Sequence, residues 1–128
     1  STLQALAQAA YREAQLKQVT AVLDARMKEV YIASFELNAE GIMQIVDEEK
    51  LLDYDSAVRY QKFNLIGSGA ALVNTQATEY THINANAVDI ATIARSHALK
   101  QQWVSAEFAL PVYLRDDAWK KIPDQGKV

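Results

Sequence analysis

The sequence predicts an α/β fold, an antiparallel meander plus flanking helices, held in a single domain over 1–128. Three observations carry that expectation. Glu29 to Leu37 alternates, with Tyr31, Ala33, Phe35 and Leu37 on one side and Val30, Ile32, Ser34 and Glu36 on the other. Asn38-Ala39-Glu40-Gly41 then has the length and the glycine of a hairpin turn. The chain opening and the stretch 87–101 instead space their apolar residues as helices do.

Taken in order, Ser1 followed by Gln4 makes a capping-box pattern, and Leu3, Leu6, Ala10 and Ala14 or Ala7 mark one helix face. An apolar strand at 19–25 ends in the polar turn residues Asp24, Arg26 and Lys28. The alternating strand 29–37 follows, and 42–47 returns as the third. From Glu36 to Asp55 there are seven carboxylates opposed only by Lys50, the pattern of a solvated sheet edge and loop, with avoidance of acidic substrates or a basic partner as the alternatives. Asp55 to Tyr60 reads as a short helix, and 63–67 as a buried strand stopped by Gly67-Ser68-Gly69. Asn84 or Asn86 caps the last long helix, with Ile90, Ala91, Ala94, Ala98 and Leu99 or Ile93 as its inner face. Pro111 to Arg115 is a short extended segment, and 116–128 is a polar C-terminal tail. A meander followed by a further strand and helices is the pattern of a ribonuclease-H-like α/β sheet.

Composition narrows the function classes. With 128 residues, half of them apolar and 23% charged, the chain has the makings of one globular core. No cysteine means no disulfide framework, thiolate zinc site or cysteine nucleophile, which fits a cytoplasmic location. Two histidines are too few for an all-imidazole metal centre. A net charge of −3 gives no general attraction to nucleic acid or to an anionic membrane. No apolar run approaches the ~20 residues that span a bilayer, so no membrane partner is expected.

The chemistry-bearing candidates are few. Asp24, Arg26 and Glu29 sit across a tight turn between strands, where they face a cleft or partner, or simply cap and pair within the turn. Gly67, Ser68 and Gly69 follow a buried strand as half a phosphate loop would, though a plain tight turn also fits. The remaining glycines of a dinucleotide fingerprint and the Gly-Lys-Ser/Thr of a P-loop are missing. His82 and His97 belong to no zinc motif, and no serine lies in a Gly-x-Ser-x-Gly elbow. Glu48 with Glu49 and Asp116 with Asp117 are sequence neighbours, which point apart in regular structure and make poor acid–base pairs. Arg115, Trp119, Lys120, Lys121 and Lys127 could stack on RNA, but Asp116, Asp117 and Asp124 nearly cancel their charge. No catalytic residue and no metal ligand emerges.

Four segments, in this order, resemble the TsaB (YeaZ) family: Ser1-Thr2-Leu3-Gln4-Ala5-Leu6-Ala7, Leu23-Asp24-Ala25-Arg26-Met27-Lys28-Glu29-Val30-Tyr31, Gly67-Ser68-Gly69, and Pro111-Val112-Tyr113-Leu114-Arg115. The Asp-Ala-Arg-x-x-Glu-Val-Tyr and Pro-x-Tyr-Leu-Arg stretches are the most specific, and the likeness runs over essentially the whole chain. Family members carry a further lobe before the position of Ser1, with an Asp-Thr strand turn and a Gly-Pro-Gly-Ser-Phe-Thr-Gly-type loop. The chain therefore reads as the C-terminal lobe of a two-lobed protein. Lys28 stands where the family usually has glycine after Arg-Met, which argues against a demanding φ there.

The resemblance implies a ribonuclease-H-like lobe of the acetate-kinase/actin/Hsp70-like (ASKHA) fold. It implies a non-catalytic partner subunit of the complex that makes threonylcarbamoyladenosine next to the anticodon of tRNA. The expected partners, met through the full-length protein, are a TsaD-like catalytic paralogue and a TsaE-like ATPase. ATP and metal then belong to the catalytic partner, with no cofactor in this chain and only indirect contact with tRNA. The isolated lobe is expected to expose apolar surface where its first lobe would pack, and to form a homodimer over it. Two alternatives from other classes are a glycoprotease-like peptidase or small-molecule kinase of the same superfamily, and a direct tRNA-binding module.

Overall fold

A strand with apolar residues on both sides must be covered on both faces, and Glu29–Leu37 is such a strand. In the computed structural model, which describes residues 2–100, it lies inside a five-stranded sheet with helices on either face. The elements run α1 (Thr2–Ala14), β1 (Gln18–Asp24), β2 (Glu29–Leu37), β3 (Met43–Ile45), β4 (Lys50–Asp53), α2 (Tyr54–Tyr60), β5 (Leu65–Ile66) and α3 (Ala70–Val73). A further helix, α4, begins at residue 87 and is described to residue 100. The strands and first helices belong to one compact unit ending at Ile93, and of the second unit only helical residues 94–100 are described. The Ser1 cap, the Pro111–Arg115 segment and the tail lie outside the described residues. Among those residues no helix is long and apolar enough to cross a membrane.

The sheet order is β3-β2-β1-β5, with β4 also beside β2. β1 and β2 pair antiparallel from Gln18↔Glu36 to Asp24↔Val30. β3 and β4 share the other edge of β2, β3 at Phe35↔Ile45 and β4 from Glu29↔Asp53 to Ile32↔Lys50. The meander holds, but its third strand is shorter than 42–47 and is followed by β4, which the acidic composition of that stretch concealed. Asp47 explains the break. Its Oδ1 accepts the Ser34 N–H at 2.9 Å, replacing a backbone partner where the chain leaves the ladder. Tyr60 fixes the same connection, its hydroxyl donating to the Glu48 carbonyl at 2.7 Å and accepting the Glu48 N–H at 3.1 Å.

β5 is only two residues long rather than the whole of 63–67, and it runs parallel to β1 through Thr20↔Leu65 and Ala21↔Ile66. The preceding residues are instead bound by Thr20, whose buried Oγ1 accepts the Phe63 N–H at 2.9 Å and the Lys62 N–H at 3.3 Å. With both lone pairs occupied, its hydroxyl proton goes to Ser34 Oγ, 2.8 Å away.

The alternation read in the sequence sets the two cores. Val19, Ala21, Ala33 and Phe35 meet Leu3, Leu6 and Ala10 of α1 on one face. Val22, Val30 and Ile32 meet Ala57 of α2 and Ala70 and Val73 of α3 on the other. Burial of side chains such as Phe35 and Ile32 contributes about 1.5–3 kcal/mol each. α1 is rich in alanine and free of glycine and proline, so it needs little help to form. It ends at Gln15, which takes a left-handed φ of 58°. Its Gln8 is buried, and there the amide stands in for a neighbouring strand. Oε1 accepts the Met43 N–H at 2.9 Å, Nε2 donates to the Gly41 carbonyl at 2.9 Å, and Gln4 Nε2 donates to the Met43 carbonyl at 3.0 Å. The outer edge of β3 is thereby closed.

α4 corrects the expected inner face. Ile90 is 58% exposed and Ala91 is exposed too, while Ala94, Ala98 and Leu99 belong to the second unit. The residue turned inward is Asp89, 1% exposed and held by Arg12 of α1. Asn86 is the cap, its Oδ1 accepting the Val88 N–H at 2.8 Å, and Asp89 Oδ2 accepts the Asn86 N–H at 3.0 Å in return.

Candidate functional site at the carboxyl end of the parallel strands

Because β1 and β5 run parallel, both point their carboxyl ends the same way. The Asp24–Glu29 turn leaves one and the Gly67–Gly69 loop leaves the other, so both candidate groups meet at one end of the sheet. In open α/β sheets, ligands bind outside the carboxyl ends of strands. Gly69 packs directly on this junction: its N–H donates to the Val22 carbonyl at 3.0 Å, and a Cβ there would lie 3.0 Å from Leu23 C and 3.1 Å from Asp24 N.

The Gly67–Gly69 loop spends the amides of both its glycines within the chain. Gly67 N–H donates to the Tyr80 carbonyl at 3.1 Å, Gly69 N–H to Val22, and Ala70 N–H to the Gly67 carbonyl at 3.1 Å. What the glycines visibly provide is close approach to β1 and α1.

The Asp24–Glu29 turn is built differently. Arg26, Met27 and Lys28 have φ of 71°, 54° and 64°, three consecutive left-handed residues without a glycine. Each such residue costs roughly 1–2 kcal/mol. Local bonds hold the turn against that strain: Asp24 Oδ1 accepts the Arg26 N–H at 2.8 Å, Ala25 N–H donates to Glu29 O at 3.0 Å, and Glu29 N–H donates to Arg26 O at 3.1 Å. Asp24 and Arg26 are exposed and Glu29 is half-buried. Among the described residues, no salt bridge joins Arg26 to Asp24 or Glu29. Met27 at the tip is 91% exposed.

Lys28 therefore does occupy a demanding φ, contrary to the expectation drawn from its not being glycine. Lys28→Gly is expected to raise stability by about 1 kcal/mol, because the left-handed penalty outweighs the added chain entropy. A denaturant midpoint unchanged or lowered by this substitution contradicts the strain.

The other candidates do not converge. His82 and His97 are both exposed, and among the described residues no group of three His, Cys, Asp or Glu comes together. Asp53 serves as the N-cap of α2, accepting the Ser56 N–H at 2.7 Å, and that bond holds its carboxyl below the usual range. The most constrained polar group is one the sequence reading missed. Burial pushes the Asp89 carboxyl up, but the two-pronged Arg12 bond, with Nε–Oδ1 at 2.8 Å and Nη2–Oδ2 at 3.0 Å, and the Asn86 N–H leave it below its ordinary value. The signal was present in Asn86-x-x-Asp89, a capping box with aspartate in place of glutamate.

No family model matches the chain. In sequence it is 29% identical to the tRNA threonylcarbamoyladenosine biosynthesis protein TsaB of Escherichia coli, over 96% of this chain and 59% of that protein. It is 30% identical to TsaB of Haemophilus influenzae, over 96% of this chain and 58% of that protein. In structure it is similar to YeaZ from Pseudomonas aeruginosa, with a TM-score of 0.68 and 28% identity, covering 80% of this chain and 51% of that one. A second solved structure, described as an uncharacterized protein with similarity to peptidase YEAZ from Pseudomonas aeruginosa, gives 0.67 and 27% over 78% and 50% of the two chains. In sequence and in fold alike, what this chain resembles is the TsaB (YeaZ) family, and it spans about three fifths of the length of the curated TsaB proteins it matches.

Proposed function

We propose that this chain corresponds to the second lobe of a TsaB-like protein. In that protein it serves as a non-catalytic partner subunit for making threonylcarbamoyladenosine on tRNA. The observation that carries this is the agreement of two likenesses, TsaB in sequence over 96% of the chain and YeaZ in fold at a TM-score of 0.67 to 0.68. The mixed sheet with helices on both faces supports a ribonuclease-H-like lobe of the ASKHA type. The expected partners are the TsaD-like catalytic paralogue and the TsaE-like ATPase.

The state of the site supports a partner role over chemistry in this lobe. The Asp24 carboxylate is spent on the Arg26 amide, and the Gly67, Gly69 and Ala70 amides are spent inside the chain. The exposed tip of the Asp24–Glu29 turn and exposed Ser68 remain to be presented, and we place them toward the other lobe. The test is complementation of a bacterial strain depleted of its own TsaB. A two-lobed protein containing this sequence is expected to restore the tRNA modification, and the 128-residue chain alone is not. Arg26→Ala in the two-lobed protein should reduce rescue with its thermal midpoint unchanged. Full rescue by the single lobe, or hydrolysis of a peptide by it, overturns the reading.

A further inference from the structure

Resting on the two-lobed reading above, we infer that the face formed by Leu23, Tyr31 and Leu51 is where the first lobe packs on this one. Leu23 lies opposite Tyr31, and Tyr31 opposite Leu51, so the three form a stripe across β1, β2 and β4 on one face of the sheet. It is the face that α1 covers, since Leu23 packs against the same core as Leu3, Leu6, Ala33 and Phe35. Ala33 and Phe35 are buried there. Tyr31, two residues back along β2, is nevertheless 48% exposed, and so is Leu51. The opposite face has no such gap, because Val22, Val30 and Ile32 at the same level of the sheet are fully buried against α2 and α3.

The bare level is where α1 begins, and that selects the occupant. From Gln4 to Gln8 the side-chain amide bonds move from the Met43 carbonyl to the Gly41 carbonyl, against the direction of β3. β3 is antiparallel to β2 and β2 to β1, so α1 runs against β1. The connection 15–17 requires the same, since so short a link sets the end of the helix beside the start of the strand. The first turn of α1 therefore lies toward the carboxyl end of β1, where Leu23 and the Asp24–Glu29 turn are, and leaves Tyr31 uncovered. A lobe joined ahead of Ser1 enters the fold at this level, beside the stripe. The curated TsaB proteins are long enough to supply one, since this chain spans 59% and 58% of them. Area argues against a second copy of the chain. Each side of a stable dimer gives up roughly 800 Å², far more than one tyrosine and two leucines that are already partly covered. A lobe on the same chain needs less, because a short link supplies an effective concentration of about millimolar.

The test compares the 128-residue chain with the two-lobed protein that contains it. The chain has no cysteine, so Leu51→Cys and, as a control on α2, Val58→Cys each place one thiol in it. Their rates of maleimide labelling are read by mass spectrometry of the peptide that carries each residue. Labelling at 51 is expected to be at least about tenfold slower in the two-lobed protein, with the rate at 58 unchanged. Hydroxyl-radical oxidation of Tyr31 should fall in parallel and needs no substitution, so the test stands even if Leu51→Cys does not fold. Equal rates at 51 in the two proteins, or equal slowing at 51 and 58, overturn the inference. Protection of Tyr31 in the 128-residue chain that grows with its concentration overturns it too, since a second copy is then the cover. Labelling needs no tRNA modification, so the two readings fail separately. Rescue without protection defeats the lobe contact, and protection without rescue defeats the partner-subunit role.

Discussion

Gly67→Ala is expected to destabilise the fold by about 3–5 kcal/mol, well beyond the same change at Gly41. Two terms combine. Gly67 has a φ of +99°, where an alanine is strained by about 1–3 kcal/mol. Its Cβ would also meet the Val22 carbonyl oxygen at 2.5 Å and Leu6 Cδ2 at 2.6 Å. The leucine tip can turn aside, but the carbonyl belongs to β1 and also accepts the Gly69 N–H. Relief therefore moves the β1–β5 junction and the candidate site with it. Gly41→Ala separates the terms, since Gly41 has a φ of +83° and nothing within 4 Å of its would-be Cβ. It should lose only about 1 kcal/mol. Equal losses at the two positions, measured by denaturant unfolding, would show that the close approach at Gly67 is not there.

The second large effect belongs to the Arg12–Asp89 pair. Asp89 is 1% exposed while the Arg12 side chain is 34% exposed, so the two deletions are unequal. Asp89→Asn keeps an acceptor for the Asn86 N–H and lets the guanidinium turn to water, at a loss of about 2 kcal/mol. Arg12→Met leaves a buried carboxylate without its cation and should lower the thermal midpoint further. Combining Arg12→Met with Asp89→Leu should recover part of that loss, because the uncompensated charge is gone. The pH dependence has a fixed sign. The folded-state pKa of Asp89 is lowered, so its stabilisation is present above the unfolded carboxylate value of about 3.9 and is lost as pH falls through the folded one. Asp89→Asn should accordingly flatten the acid limb of the stability curve. A midpoint for Arg12→Met equal to that of the unaltered chain contradicts the pair's importance.

What the sequence disclosed follows from how locally each element is determined. β1 and β2 were legible because alternation and the Asn38–Gly41 turn act within a few residues. β4 was hidden because an edge strand can be charged, and Lys50–Asp53 sits in the most acidic stretch of the chain. The inner face of α4 was misassigned because apolar spacing names a face without saying what docks on it, and Arg12 lies 77 positions from Asp89. At the candidate site, residue types marked the turn and the glycine loop as separate features. Only the parallel pairing of β1 with β5 brings them to one end. The left-handed run at Arg26, Met27 and Lys28 left no trace in composition, since none of the three is glycine, asparagine or aspartate.

The role proposed for this lobe is to support tRNA modification without performing chemistry itself. It is tested most directly by reconstitution, scoring threonylcarbamoyladenosine formed on tRNA by the TsaD-like paralogue and the TsaE-like ATPase with ATP. The two-lobed TsaB-like protein should be required, and the 128-residue chain in its place should give only the background level. Modification at the full rate with the single lobe, or product formed when the lobe is supplied without the paralogue, would contradict the account.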